Sequence, residues 1–555
     1  MNFARDVLQA QPPERSALVE LARDGSRREW TFAQVNAGSV AMAGALARAG
    51  VRRGDVVMTL IGNRPEWVLT MMACFREGAV VLPCTEQLRA KDLRLRLEVA
   101  RPTLIVADVR NRAEIERARP DCEVLYVPDE ALSACASAPA TDRPPLADPE
   151  NPSQTPNPSK QTLSHEPPPR KPAPNEPPYE PPPYADLSEG DPALITFTSG
   201  TAGEPKAVVH AQRYLYGQRI QAERWLGARA GELVWCTAAS GWSKSARNVF
   251  MAPWLMGAPA LLHDARFDPH ERLELIEREQ VSVLCMAPTE YRVIAKRARL
   301  RALPSLRGMV AAGEALNPEV LKVWRDATGL DIRDGYGQTE TGQMTGMGIG
   351  VRARAGSMGK ALEGVRLSVV ADRRADGSPT GVDSTGDAHG TGSGELVADP
   401  ASVPTFFLGY LGEGVRREPD GGWTIADRRE QGPWHTGDRV REDKDGYLHF
   451  EGRSDDVIVS AGYRIGPFEV ESALVAHAAV AEAAAVSAPD EERGAVVRAV
   501  VVLRDGHAPS PELARELQEH VKRETAPYKY PRIVEFAREL PKTASGKIKR
   551  AELRG

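Results

Sequence analysis

Ile195-Thr196-Phe197-Thr198-Ser199-Gly200-Thr201-Ala202-Gly203-Glu204-Pro205-Lys206 is the most informative stretch of this chain. It starts as an apolar strand, passes into hydroxyls and glycines, and closes on a lysine. Hydroxyls and free backbone amides donate to phosphate oxygens, and glycines let a backbone approach an anion closely. Thr198, Ser199, Gly200 and Thr201 are therefore candidate phosphate contacts, and the Lys206 ammonium can neutralise phosphate charge. The spacing is not GxxxxGK[ST], so this is not a Walker A loop. As an isolated pattern the string also fits a surface Gly/Ser/Thr loop.

The flanking sequence alternates strand and helix patterns. Phe32–Ala49 places small and apolar residues at helical spacing and ends at Gly50. Asp55–Ile61 has strand length, Pro65–Gly78 reads as a helix, and Ala79–Leu82 as a buried strand. Strand, helix and strand in succession predict a mostly parallel α/β sheet. Residues 187–370 return to that alternation. Between them, residues 139–186 differ: sixteen prolines fall between Pro144 and Pro183. Proline lacks the amide and fixes φ, so this insertion is expected to be an extended, solvated loop. Residues 371–394, rich in Gly, Asp, Ser and Thr, predict a loop between strands. A break is expected near Gly452–Asp456. Beyond it, strands around Ala495–Leu503 and a helix at Pro511–Glu524 form a smaller α+β unit.

Bulk composition narrows the function classes. The chain has 555 residues, a formal net charge of −5, 42% hydrophobic and 26% charged residues. That balance is ordinary for a globular protein and offers no basic field for nucleic acid. The six cysteines, Cys74, Cys84, Cys122, Cys135, Cys236 and Cys285, show no CxxC or zinc-finger spacing and are expected to be reduced core residues. The start shows no apolar run of signal-peptide length, and no run approaches the roughly 20 residues needed to span a bilayer. A cytoplasmic protein without a membrane span is expected.

Further segments carry chemistry. Asp334-Gly335-Tyr336-Gly337-Gln338-Thr339-Glu340-Thr341 sets a carboxylate beside a hydroxyl in a glycine-rich turn, which suits a magnesium–phosphate site because Mg²⁺ prefers carboxylate and phosphate oxygens. Ala312-Gly313-Glu314-Ala315-Leu316 reads as a strand-to-helix turn. Trp434-His435-Thr436-Gly437-Asp438, Gly452-Arg453-Ser454-Asp455-Asp456, Ser460-Ala461-Gly462-Tyr463-Arg464-Ile465-Gly466-Pro467 and Leu540-Pro541-Lys542-Thr543-Ala544-Ser545-Gly546-Lys547-Ile548-Lys549-Arg550 complete the set.

Together these resemble, in order, the motifs of the adenylate-forming superfamily, which holds acyl-CoA synthetases, peptide-synthetase adenylation domains and firefly luciferase. The phosphate loop matches [YF]TSGTTGxPK except for Ala202, which removes one hydroxyl. The resemblance covers nearly the whole chain apart from the proline-rich insertion and the Gly/Asp loop. It implies a large N-terminal domain of two α/β sheets plus a small β-barrel, and a mobile α+β C-terminal domain. Residues 1–453 would be the AMP-binding adenylation domain and 454–555 the lid.

By the same resemblance, Glu340 holds Mg²⁺, Thr339 contacts the α-phosphate and Tyr336 stacks on adenine. Gly313 and Glu314 line the adenine side, with Asp334 among the nucleotide-binding residues. Asp438 and Arg453 bind ribose, with His435 only a neighbour. Asp455 is the hinge. Gly462, Tyr463 and Arg464 belong to the coenzyme A tunnel. Lys547 stabilises charge as a carboxylate attacks the α-phosphate, and an ammonium on a mobile loop can be swung in for that step alone.

The implied reaction uses ATP, Mg²⁺ and coenzyme A on a small carboxylic acid. Acyl-AMP and pyrophosphate form first; the thiol of coenzyme A then releases AMP. The acyl pocket would lie between the Trp235–Leu261 segment and the GYGQTE turn, with Trp242 as an apolar wall. Acetate-specific relatives carry tryptophan where Gly337 stands, so a longer or wider acid is expected. Asn63-Arg64-Pro65-Glu66-Trp67, Thr85-Glu86-Gln87-Leu88 and Ala526-Pro527-Tyr528-Lys529-Tyr530-Pro531-Arg532 resemble the medium-chain subgroup, which takes fatty or aromatic acids. An acyl-AMP ligase loading a carrier protein is the alternative. A non-catalytic nucleotide sensor is disfavoured by the presence of Lys547 and Glu340.

Overall fold

The computed structural model describes residues 1–128, 184–198, 205–313, 316, 318–351, 353–354, 356–371, 392–453, 456, 458–460, 463–490, 493–525, 527–542 and 547–554. Two nine-stranded sheets dominate. The first runs Lys360–Ala361, Gly342–Gly346, Ile332–Gln338, Gly308–Ala312, Val283–Met286, Val234–Cys236, Ala260–His263, Ser16–Leu21 and Arg27–Thr31. The second runs Trp423–Ile425, Gly414–Arg417, Gly409–Leu411, Ala207–Ala211, Pro192–Phe197, Val80–Cys84, Val56–Leu60, Leu104–Asp108 and Glu123–Val127. Their central strands pair parallel; antiparallel strands close both edges of the first sheet and the Trp423–Ile425 edge of the second, whose other edge, Glu123–Val127, is parallel.

The packing follows from strand periodicity. Successive residues point to opposite faces of a sheet. Val57, Val81 and Val106 of the second sheet join Val234, Ala260 and Val310 of the first in one shared core. Their neighbours Val56, Val80 and Ile105 face outward onto the helices Ala90–Ala100 and Arg112–Ala118. Outward residues of the first sheet, such as Leu284 and Met309, meet Leu273, Tyr291 and Trp324 from three helices. Burial on both faces explains why these strands read as unbroken apolar runs.

The helix Pro65–Glu77 lies in the layer between the sheets. Its residues are buried nearly all round, as a central helix requires. Pro65 takes its first turn, where an amide would have no partner, and the Gly78 amide caps the Cys74 carbonyl. The helix Phe32–Arg48 starts at a capping box between Thr31 and Gln34.

The smaller antiparallel sheet, at the place of the expected barrel, is four-stranded: Leu367–Val370, Ser393–Ala398, Trp434–Glu442 and Leu448–Arg453. Residues beyond Arg453 form a two-stranded and a three-stranded sheet with the helices Pro467–Ala476 and Pro511–Glu524. Ile458, Val470, Leu474, Ala485, Val501 and Leu517 give them their own core. Most of the proline-rich insertion and of the Gly/Asp loop lies outside the described residues.

Candidate active site

The hairpin of Pro192–Phe197 and Ala207–Ala211 brings the two ends of the phosphate loop together. The Thr198 amide donates to the Lys206 carbonyl at 2.9 Å, and the Lys206 amide to Thr198 Oγ1 at 3.0 Å. Ser199, Gly200 and Thr201 between them lie outside the described residues, as do Glu314, Asp455 and Gly462 and the side chains of Tyr463 and Arg464. The exposed Lys206 ammonium pairs with Glu413 at 3.2 Å and stands 4.6 Å from the Tyr410 ring.

Tyr410 connects this lysine to the GYGQTE turn. Its hydroxyl donates to Glu340 Oε1 at 2.8 Å. Burial, followed by the Glu340 charge, pushes the phenol well above its usual range, so it stays a donor. Lys206 and Glu340 thus flank one tyrosine, a cation and an anion on either side of it.

The turn hangs from the strand Ile332–Gln338, whose pairing with Gly342–Gly346 shifts register between Tyr336 and Gly337. Such a bulge re-aims side chains. Asp334, Tyr336 and Gln338 share one face by strand periodicity. The Tyr336 hydroxyl and Gln338 Nε2 both donate to Asp438 Oδ2, the latter at 2.8 Å. Gln338 Nε2 also donates to the Thr436 carbonyl at 2.7 Å, and Trp434 Nε1 to Gln338 Oε1 at 2.9 Å. Asp334 is buried, and its Oδ1 accepts from the Gly335 amide at 2.8 Å. It lines a cavity of about 350 Å³ with Leu316, Pro318, Met347, Arg354 and Ser357.

Asp438 is the centre of the site. It is buried in the strand Trp434–Glu442, directly across from Arg453. Burial pushes its carboxyl above the usual range. Arg453, the Tyr336 and Gln338 donors and the Lys547 charge pull it back. Lys547 is exposed, and its charge is felt at Asp438. The residues after it are strapped down: Arg550 grips the buried Glu471 through both carboxylate oxygens at 2.8 and 2.9 Å, and Arg550 and Arg554 pair with Asp456.

Gly313 has φ +104°, a conformation open to glycine, and a Cβ there would meet Lys244 Nζ at 2.7 Å. Lys244 donates to the Ala312 carbonyl at 2.5 Å and ties the Trp242 segment to the Gly313 turn. Asn63 holds the other end of that segment, accepting from the Ser240 amide at 3.0 Å and donating to the Ala238 carbonyl at 3.2 Å. Trp242 is half-buried. Gly337 stands against backbone: a Cβ there would lie 1.8 Å from the Gly342 carbonyl oxygen.

Sequence reasoning missed Gln338, Tyr410, Lys244 and Asn63. Gln338 and Asn63 stand inside quoted stretches and could be found there. Tyr410 and Lys244 meet their partners across 70 and 68 residues of chain, and no local pattern marks them.

Among the described residues no cluster of three metal-ligating side chains occurs. A carboxylate, here joined through Tyr410 to Lys206, is nevertheless the donor that Mg²⁺ uses when substrate phosphates and water complete its shell. Glu340 fits that role.

Two family models match the chain: AMP-binding enzyme over residues 4–410, and AMP-binding enzyme C-terminal domain over residues 469–547. An uncharacterized acyl-CoA ligase of Bacillus subtilis, YtcI, is 36% identical, over 98% of this chain and 93% of that protein. Human mitochondrial acyl-coenzyme A synthetase ACSM3 is 35% identical, over 100% of this chain and 89% of that one. Among solved structures, Brucella canis acyl-CoA synthetase matches with a TM-score of 0.65 at 30% identity, covering 100% and 94% of the two chains. The anthranilate CoA ligase AuaEII, in complex with anthranoyl-AMP, matches with a TM-score of 0.76 at 26% identity, covering 100% and 96%.

Proposed function

The chain belongs to the AMP-binding enzyme family, and from that premise we propose that it is an AMP-forming acyl-CoA synthetase acting on a medium-chain fatty or aromatic acid. The observation that carries the reading is the meeting at Asp438 of Tyr336, Gln338, Arg453 and the charge of Lys547.

In the first half-reaction an oxygen of the substrate carboxylate attacks the α-phosphorus of ATP and pyrophosphate leaves. Asp438 accepts from the ribose hydroxyls while Arg453 fixes its orientation. Thr198, Lys206 and the loop between them hold the phosphates, and Thr339 meets the α-phosphate. Bound Mg²⁺, held through Glu340, would neutralise phosphate charge. Lys547 supplies positive charge where negative charge develops, the kind of fixed electrostatic help phosphoryl chemistry depends on. Asp334, facing its cavity, reads the adenine edge.

In the second half-reaction the sulfur of coenzyme A attacks the acyl carbonyl, the C–O bond to AMP breaks, and the thioester forms. Residues 454–555 act as a lid turning at Asp455. That rotation withdraws Lys547 and presents Gly462, Tyr463 and Arg464 to the pantetheine arm. ATP and coenzyme A are intracellular substrates, and the five described cysteines are free, which suits a reducing cytoplasm. No helix among the described residues is long and apolar enough to cross a membrane.

The test is coenzyme-A-dependent AMP release with ATP and Mg²⁺ across acetate, butyrate, hexanoate, octanoate, decanoate and benzoate. AMP and thioester in equal amounts support the reading. Acyl-adenylate without thioester would instead favour carrier-protein loading.

A further inference from the structure

Nothing in the two half-reactions uses Arg247. This residue opens the helical turn Arg247–Met251, in the segment that follows Trp242, and is 4% exposed. Its Nε and Nη1 have no hydrogen-bond partner, and its described company is the Tyr214 hydroxyl. No carboxylate among the described residues forms an ion pair with it. Arg213, buried nearby, has Asp427 at 3.1 Å.

The position of the guanidinium matters. A Cβ on Gly342 would stand 3.4 Å from Arg247 Nη1, and Gly342 pairs with Gln338, the residue after Gly337. The charge of Arg247 is also felt at Cys285, in the parallel strand beside Val234–Cys236. Arg247 thus belongs to the Trp235–Leu261 segment and turns its guanidinium toward the strand that follows the GYGQTE turn, the two stretches between which the acyl pocket is expected. His210 packs on Tyr214, their ring centroids 3.9 Å apart.

Guanidinium keeps its charge in any protein environment, and burying that charge unpaired is costly. An alkyl chain laid beside it recovers none of that cost. A carboxylate does, because its two oxygens match the planar fork of donors.

We propose that the acid activated here carries a second carboxylate at its far end, and that Arg247 binds it as a specificity-determining residue. The proposal rests on the acyl-CoA synthetase reading and narrows its substrate class to a medium-length dicarboxylic acid. One carboxylate takes the adenylyl group and then the thiol. The other passes through unchanged, so the product is a mono-thioester with a free distal carboxylate.

The test compares length-matched acids on the full chain: hexanoate, adipate and monomethyl adipate, then octanoate and suberate, by coenzyme-A-dependent AMP release. Adipate and suberate should exceed their monoacids at least roughly tenfold in kcat/KM. In Arg247→Met that preference should invert, chiefly through KM for the diacid, while Arg247→Lys keeps part of it. A monoacid or the half-ester equal to or better than the diacid overturns the inference and leaves the acyl-CoA synthetase reading standing. The wild-type profile decides this even where Arg247→Met fails to fold. An Arg247→Met protein that folds and keeps the diacid preference also overturns it. No AMP with any acid removes the underlying reading, and this inference with it.

Discussion

Asp438 and Arg453 face each other across one antiparallel strand pair, and the guanidinium reaches Asp438 Oδ1 at 3.3 Å. Tyr336 and Gln338 occupy Oδ2. Asp438→Asn turns one of these acceptors into a donor that faces other donors. kcat/KM for ATP should fall roughly 10- to 100-fold, the cost of a charge-assisted hydrogen bond or two. Steady-state rates against ATP concentration, with Tm measured alongside, check this. An unchanged ATP dependence would remove Asp438 from the nucleotide site.

Lys547 is exposed, so Lys547→Ala should leave Tm unchanged. Its effect should fall on one half-reaction. Acyl-adenylate formation is expected to drop by roughly 100- to 1,000-fold, the scale of losing one charge-stabilising donor. Thioester formation from preformed acyl-AMP should stay within a few-fold. Single-turnover assays of the two steps separate the outcomes, and equal losses in both would contradict the assigned role.

Much of this architecture was legible in the chain because it is written locally. The helix at Pro65–Gly78 carries its own proline start and glycine stop, and the apolar runs at Asp55–Ile61 and Ala79–Leu82 are the strands a doubly covered sheet requires. Asp438, Arg453 and Tyr336 sit in motifs that could be quoted. Contacts between distant segments were not legible. Tyr410 gains its meaning from Glu340 and Lys206, and Arg247 from the carboxylate it lacks. Neither residue stands in any pattern of spacing or composition.

In the sequence, Gly337 in place of the tryptophan of acetate-specific relatives implies a pocket floor open to a longer or wider acid. The structure gives it a different reason: a Cβ would come within 1.8 Å of the Gly342 carbonyl oxygen and 2.7 Å of its carbon. Backbone cannot yield there without moving the turn that carries Thr339 and Glu340. Gly337→Ala should therefore depress activity with every acid and destabilise the fold by about 1–3 kcal/mol, as overpacking does. Turnover across the acid panel and urea unfolding check this. A retained Tm with preference merely shifted to shorter acids would restore the pocket-floor reading.

His263 is buried against the Trp235 ring, and its Nδ1 has no partner. Burial first, then the charges of Arg272 and Arg278, push its pKa down to about 4, outweighing Glu271, whose Oε1 lies 3.6 Å from Nε2. Unfolded histidine titrates near 6.5. The fold therefore favours the neutral ring, and its contribution is fully present above pH ~6.5. It is lost as pH falls from ~6.5 towards 4, because the unfolded chain takes up a proton that the folded chain refuses. Over that window the loss reaches at most about 3 kcal/mol. His210, pushed down to about 3 by burial and by Arg247 and Arg213, acts in the same direction. Asp6, held down at about 2 despite its partial burial by Arg5 and the Asn2 amide, contributes only at lower pH, so the two effects separate. Urea midpoints at pH 7.5, 6.5, 5.5 and 4.5 should decline in the wild-type protein. His263→Gln should decline less steeply, by about one proton's worth, or roughly 1.4 kcal/mol per pH unit. Parallel declines in the two proteins would mean that the imidazole reaches solvent and titrates normally in the fold.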